Sequence, residues 1–159
     1  MTEDQIIDQI IYSFTNYNLR DIQEMYNSPT EFTIAEFILC SCLIDQISGF
    51  RYNTDKVGKR YKKFVREYLP NYNPEELYDD LRNKLVHNYS LGRHYNLTSK
   101  SAHLHLQTIN GNTYLTIEYF LADIKSALST YFNELRNDML VRQNALNWYK
   151  QYNIIGQNM

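Results

Sequence analysis

The sequence predicts an all-α protein, an antiparallel bundle of about five helices with one β-hairpin inserted between the fourth and the fifth. Three observations carry this expectation. Apolar residues recur at helical spacing through most of the 159 residues. The three prolines, Pro29, Pro70 and Pro74, fall between the periodic stretches. One stretch around residue 110 changes from a helical period to strict alternation.

The first helix is expected from Glu3 to about Tyr26, with Ile6, Ile7, Ile10, Ile11 and Phe14 on its inner face. Asn27-Ser28-Pro29 breaks it, because proline disfavours helical geometry in the residue before it. The second helix, about Glu31 to Ile47, is apolar on most sides and so belongs at the bundle centre. Ser48-Gly49 is expected to end it. The third runs from about Thr54 to Leu69 and stops at Pro70. The fourth opens with Pro74 after a capping Asn73 and runs to about Ser90. The alternation from His103 to Ile117, with Asn110-Gly111 at its middle, predicts the hairpin. From Glu118 a helical period returns and is expected to continue to about Tyr152.

The length suits a single domain, residues 1–159, able to bury a real core. At 43% apolar and 21% charged, the composition is that of a folded chain. The longest apolar run, Ile38 to Leu43, is short for a membrane span, and the acidic N-terminus lacks the features of a secretion signal. A cytoplasmic protein with no membrane association is expected. Cys40 and Cys42, roughly 200° apart on a helix, read as two small buried residues rather than a metal or disulfide pair.

The net charge of −2 argues against a strong nucleic-acid binder, but the charge is unevenly spread. Residues 51–100 hold 11 Lys and Arg against 6 Asp and Glu, while the remainder holds 5 against 12. The densest segment runs from Lys56 to Arg66. Such a face suits an anionic ligand, and equally an ordinary solvated helix.

The fourth helix carries the clearest chemical pattern. On an ideal helix Leu77, Tyr78, Leu81, Leu85 and Tyr89 share an arc of about 120°, the core face. Arg82 borders that arc, Asn83 lies beyond it, and His87 stands about 140° around from Arg82. A spacing of five is a poor one for a pair within one α-helix. These residues act together only through a third body, either a ligand or the same helix of a second subunit.

The run Arg82-Asn83-x-x-x-His87-Asn88-Tyr89 resembles the R-x4-H motif of HEPN domains, and with Tyr89 it resembles the HEPN toxins paired with a minimal nucleotidyltransferase antitoxin. An apolar second helix and a closing helix after the motif are also similar to that superfamily, whereas a hairpin at 103–117 departs from its minimal toxin form. The resemblance implies metal-independent RNA cleavage without a cofactor, at a site shared across a homodimer. It implies His87 as general acid/base, Arg82 as phosphate clamp and Asn83 as an orienting group. Lys84, Arg93 and His94 are the expected substrate contacts, and Tyr89 the residue open to modification by a nucleotidyltransferase-type antitoxin. Its position on the core arc would instead have Tyr89 fill the bundle. The same family contains non-catalytic dimerisation and binding modules, so an interaction domain for a protein or nucleotide partner is the second reading. In that reading Arg82 would be salt-bridged, Asp79 and Asp80 being the nearest carboxylates in sequence. His103 and His105 project to one face of the expected strand, where a solvated face suits them better than a metal lacking a third ligand.

Overall fold

A computed structural model describes residues 1–99, 101–152 and 154. Within them the chain is mostly helical, with a small three-stranded sheet. Residues 3–27 form a first helix in three segments: α1 (Glu3–Ser13), a π-helical segment (Phe14–Leu19) and α2 (Arg20–Asn27). Thr2 starts it with a reciprocal capping box to Gln5. Ile7, Ile10 and Phe14 are buried, as their spacing predicts.

Helix α3 (Thr33–Tyr52) lies at the centre, packed against α4 (Val57–Tyr68) and against the last helix. It runs past Ser48-Gly49, where a stop was expected. The indole of Trp148 lies over Gly49 so closely that a Cβ there would sit 2.6 Å from its ring. Gly49 is thus a packing notch, and the helix ends at Asn53 in the left-handed conformation, φ 47°. With 20 residues and a mean hydropathy of 1.4, α3 has the length and composition of a membrane span, contrary to the short run read from the sequence. Its apolar surface is largely covered by its neighbours, with Phe37, Cys40, Leu43, Ile44, Ile47 and Phe50 all in the core.

Asn73 caps the next helix by accepting hydrogen bonds from the N–H groups of Glu75 and Glu76. That helix consists of α5 (Pro74–Leu77), a π-helical segment (Tyr78–Leu85) and α6 (Val86–Asn88). It ends at Tyr89 in the left-handed conformation, φ 51°. The π segment is marked by the Val86 N–H reaching back five residues to the Leu81 carbonyl.

The region between this helix and the next departs from a simple hairpin over 103–117. Strands β1 (Tyr95–Thr98), β2 (Thr108–Ile109) and β3 (Asn112–Thr116) lie in the order β1-β3-β2, with β1 parallel and β2 antiparallel to β3. Asn110 and Gly111, both with positive φ, make the β2–β3 turn. The His103–Gln107 alternation is not a strand. Ala102–Leu104 form a 3-10 turn, and His105 folds over β3, where its Nδ1 accepts the Thr116 N–H at 3.1 Å. The expected single closing helix is two, α7 (Ile117–Asn137) and α8 (Met139–Gln151). Asp138 interrupts it with extended backbone and caps α8 through the N–H groups of Leu140 and Val141. The break returns α8 against α3 and α1, which brings Trp148 onto Gly49.

Candidate functional site

Arg82 projects from the π segment beside the buried Leu81 and Leu85. Its Nε and Nη2 donate to one oxygen of Asp45, at 3.1 and 3.0 Å. The other Asp45 oxygen accepts from Arg60 Nη2 at 2.7 Å. Arg60 is 9% exposed, gives Nη1 to the Thr54 carbonyl at 2.9 Å, and lies 4.9 Å from the Trp148 ring centroid. A carboxylate shared by two guanidiniums therefore ties α3, α4 and the motif helix together. Neither Asp79 nor Asp80 is the partner of Arg82, contrary to the sequence expectation. Asp45 is one helix away and faces the same cleft.

That cleft measures about 520 Å³ and is bounded by α3, α4, the motif helix and α8. Arg82 and Val86 form one wall, Trp148 and Tyr152 another. The two aromatic rings stack at 4.3 Å, and the Tyr152 hydroxyl donates to Asp55 at 2.6 Å. Cys42 also lines the cleft and is exposed, unlike the buried Cys40, which corrects the expectation that both are core residues. Partial burial and Asp45 raise its thiol above the ordinary range, with Arg82 opposing, so it stays protonated at neutral pH.

His87 is exposed, and neither ring nitrogen has a hydrogen-bond or ion-pair partner among the described residues. The wider turn of the π segment narrows the 140° that an ideal α-helix would put between Arg82 and His87. Even so, Val86 rather than His87 lines the cleft among the described residues. Tyr89 does not fill the core: its left-handed backbone turns it out, and it is 71% exposed.

The remaining expected contacts are engaged elsewhere. Lys84 pairs with Asp79 at 2.7 Å and lies 3.8 Å from Asp80. This lysine, with a smaller contribution from Asn83, holds the Asp79 carboxyl below its usual range. Asn83 and Lys84 thus face a carboxylate pair away from Asp45. Asp80, 2% exposed, accepts the backbone N–H groups of Arg93, His94 and Tyr95 at 3.2, 2.8 and 2.9 Å. Arg93 and His94 are held at this loop through their backbones. The Arg93 side chain is exposed, and His94 Nδ1 lies 3.9 Å from Glu76. Asp79, Asp80 and His94 bring three ligand atoms within 4.8 Å of one another. The oxygens of Asp80 are already taken by three N–H groups and one Asp79 oxygen by Lys84, so the cluster is a loop anchor.

Sequence reasoning missed Asp45, Arg60 and Trp148. A signal existed for the first: Asp45 is the one charged residue between Phe37 and Phe50 in the most apolar helix of the chain. A lone charge there needs a partner. Comparison with protein-family models, with curated proteins and with solved structures finds no match.

Proposed function

We propose that the chain is a HEPN-like, metal-independent endoribonuclease, a toxin or defence component acting in the cytoplasm as a homodimer of antiparallel helical bundles. The observation that carries the reading is the contrast along one helix between a fixed cation and a free base. Arg82 is anchored on Asp45 through Nε and Nη2, while its Nη1 has no partner among the described residues. A guanidinium held by one edge presents the other to a phosphate without further loss of side-chain freedom. His87 stands solvent-exposed one turn on, where a two-fold axis could bring two such rings to one strand.

In the reaction one His87 takes the proton of an RNA 2′-OH. The oxygen attacks phosphorus, the P–O5′ bond breaks, and the second His87 returns a proton to the leaving oxygen. Arg82 stabilises the charge on the non-bridging oxygens. The products are a 2′,3′-cyclic phosphate and a 5′-OH. Tyr89, exposed next to the histidine, is where a nucleotidyltransferase-type antitoxin would act on such a toxin.

A second reading, a non-catalytic HEPN-like binding module, is favoured by Asp45, which already neutralises much of the Arg82 charge. Purified protein, incubated with single-stranded RNA in EDTA, separates the two. The enzyme reading expects His87→Ala and Arg82→Ala each to lower cleavage by about 10²-fold or more. It also expects a dimer by light scattering. Absence of any cleavage that His87→Ala abolishes, or a stable monomer at micromolar concentration, overturns it in favour of the binding module.

A further inference from the structure

Helix α4 carries a second feature that the motif helix does not explain. Lys56, just before its first turn, and Lys59, Lys63 and Arg66 are all exposed and recur at spacings of three and four, so they share one face over about 15 Å. Of the four only Lys63 has a carboxylate partner among the described residues, Glu67 at 3.7 Å. Three cations without a carboxylate partner among the described residues are notable on a chain with net charge −2. Beside the stripe lies a depression of about 270 Å³, walled by Arg51, Tyr52, Lys59, Arg60 and Lys63, with no carboxylate among the described residues of its lining. Arg51 is partly balanced by Glu134 at 3.4 Å, whereas Lys59 has no carboxylate partner among the described residues.

Arg60 joins this depression to the cleft of Arg82, because it lines both. It is also a cation whose Nε is buried without a hydrogen-bond partner among the described residues. On the cleft side of Arg60 stands an aromatic surface: Tyr152 lines the Arg82 cleft, is 43% exposed and is backed by Trp148 at 4.3 Å. A row of cations leading to an exposed, supported ring is what an unpaired nucleic-acid strand requires, with phosphates on the cations and a base on the ring. A lipid surface would use the cations but not a ring that lines a cleft. An acidic peptide would have no base to stack.

We propose that the α4 stripe and Tyr152 form a track for single-stranded RNA that leads the strand past Arg60 into the Arg82 cleft. The proposal rests on the ribonuclease reading for its choice of RNA, but concerns binding rather than cleavage. Lys59 and Lys63 take backbone phosphates and Tyr152 takes a base.

The test uses the full chain and a fluorescein-labelled single-stranded oligoribonucleotide, read by anisotropy across a salt series. Lys59→Ala with Lys63→Ala is expected to weaken binding about tenfold at low salt, and to make the slope of log Kd against log salt shallower by about 1.4. Tyr152→Ala is expected to weaken binding severalfold with the slope unchanged, and Tyr152→Phe to keep the affinity. A blunt-ended RNA duplex should bind more weakly than the single strand. Unaltered affinity and slope in the lysine variant overturn the proposal. So does the absence of salt-dependent RNA binding by the wild type, or equal displacement of the oligonucleotide by polyglutamate of matched charge. Anionic vesicles bound through the same lysines, with no RNA bound, also overturn it. If the wild type binds in this way yet cleaves nothing, the track stands and the ribonuclease reading fails. If it cleaves through His87 while the lysine variant binds as tightly as the wild type, the reverse holds.

Discussion

Asp45 and Asp80 are both carboxylates withdrawn from water, and they are satisfied in opposite ways. Asp80 is held by three successive backbone N–H groups, a fixed concave cradle whose members cannot move independently. Asp45 is held by two guanidiniums on long side chains from two other helices, and it remains 18% exposed at a cleft. The first arrangement fastens a loop. The second positions Arg82, which keeps its Nη1 available. A buried carboxylate is thus no sign of function by itself; what matters is whether its partners are spent by the contact.

This difference is tested first where the effect is largest. Asp80→Ala leaves three N–H groups without acceptors in a closed site, which is expected to cost about 3–5 kcal/mol in urea unfolding. Gly92→Ala should follow closely, because its Cβ would fall 1.7 Å from an Asp80 oxygen. The loop or the carboxylate must then move, at a cost of about 2–3 kcal/mol. Because the carboxylate of Asp80 only fastens, both variants should lose stability while any RNA affinity remaining below the unfolding transition stays near that of the wild type. A specific loss of affinity in folded Gly92→Ala would mean that the 92–95 loop takes part in binding, as Arg93 and His94 were expected to do.

Asp45→Ala should be milder in stability, about 2 kcal/mol, because Arg60 keeps Thr54 and Trp148 and both arginines line the open cleft. Its effect on function should be the greater of the two. Arg82 loses the anchor that orients it, so cleavage is expected to fall about tenfold or more, while RNA binding rises with the removal of a negative charge. Asp45→Asn should retain part of the positioning through its remaining carbonyl. Equal losses of binding and cleavage in Asp45→Ala would show that the carboxylate merely supports the fold, as Asp80 does.

The two sites also differ in how far the sequence disclosed them. Several helix boundaries were legible because their causes are local: Asn73 caps, Pro70 and Pro74 punctuate, and the apolar period identifies Ile7, Ile10 or Leu81 as core. The π segments were not legible, because an i+5 bond is chosen by packing and leaves no distinct residue pattern. An ideal period put Tyr89 on the core arc, but the helix ends there in left-handed backbone, which turns the ring out. Asp138 was legible in principle as a cap between two apolar runs, but the intact period across it favoured one long helix. The meeting of Trp148 with Gly49, and of Arg60 and Arg82 on Asp45, joins residues far apart in sequence, so only the fold brings them together.

A third carboxylate extends the comparison to the smallest effect. Asp123 accepts the Tyr72 hydroxyl at 2.6 Å, and that hydroxyl lies 3.1 Å from His105 Nε2. Since His105 Nδ1 accepts the Thr116 N–H, the proton of the neutral ring sits on Nε2 and is given to Tyr72, which in turn donates to Asp123. The ring is also packed beside Tyr119. Burial lowers the His105 pKa below its ordinary value, with Asp123 opposing more weakly. The folded state thus prefers the neutral ring. Its stabilisation is complete above about pH 6.5, where the unfolded histidine is also neutral, and is lost as pH falls through 6.5 toward the lower folded value. His105→Asn keeps an acceptor near the Nδ1 position and removes the titration. At pH 7.5 the variant should melt below the wild type, since it loses the contact to Tyr72. At pH 5.5 the gap should narrow by on the order of 2 °C. A gap that stays constant in acid would mean that the ring protonates as readily in the fold as outside it, and one that widens that it protonates more readily and that Asp123, like Asp45, serves a cation.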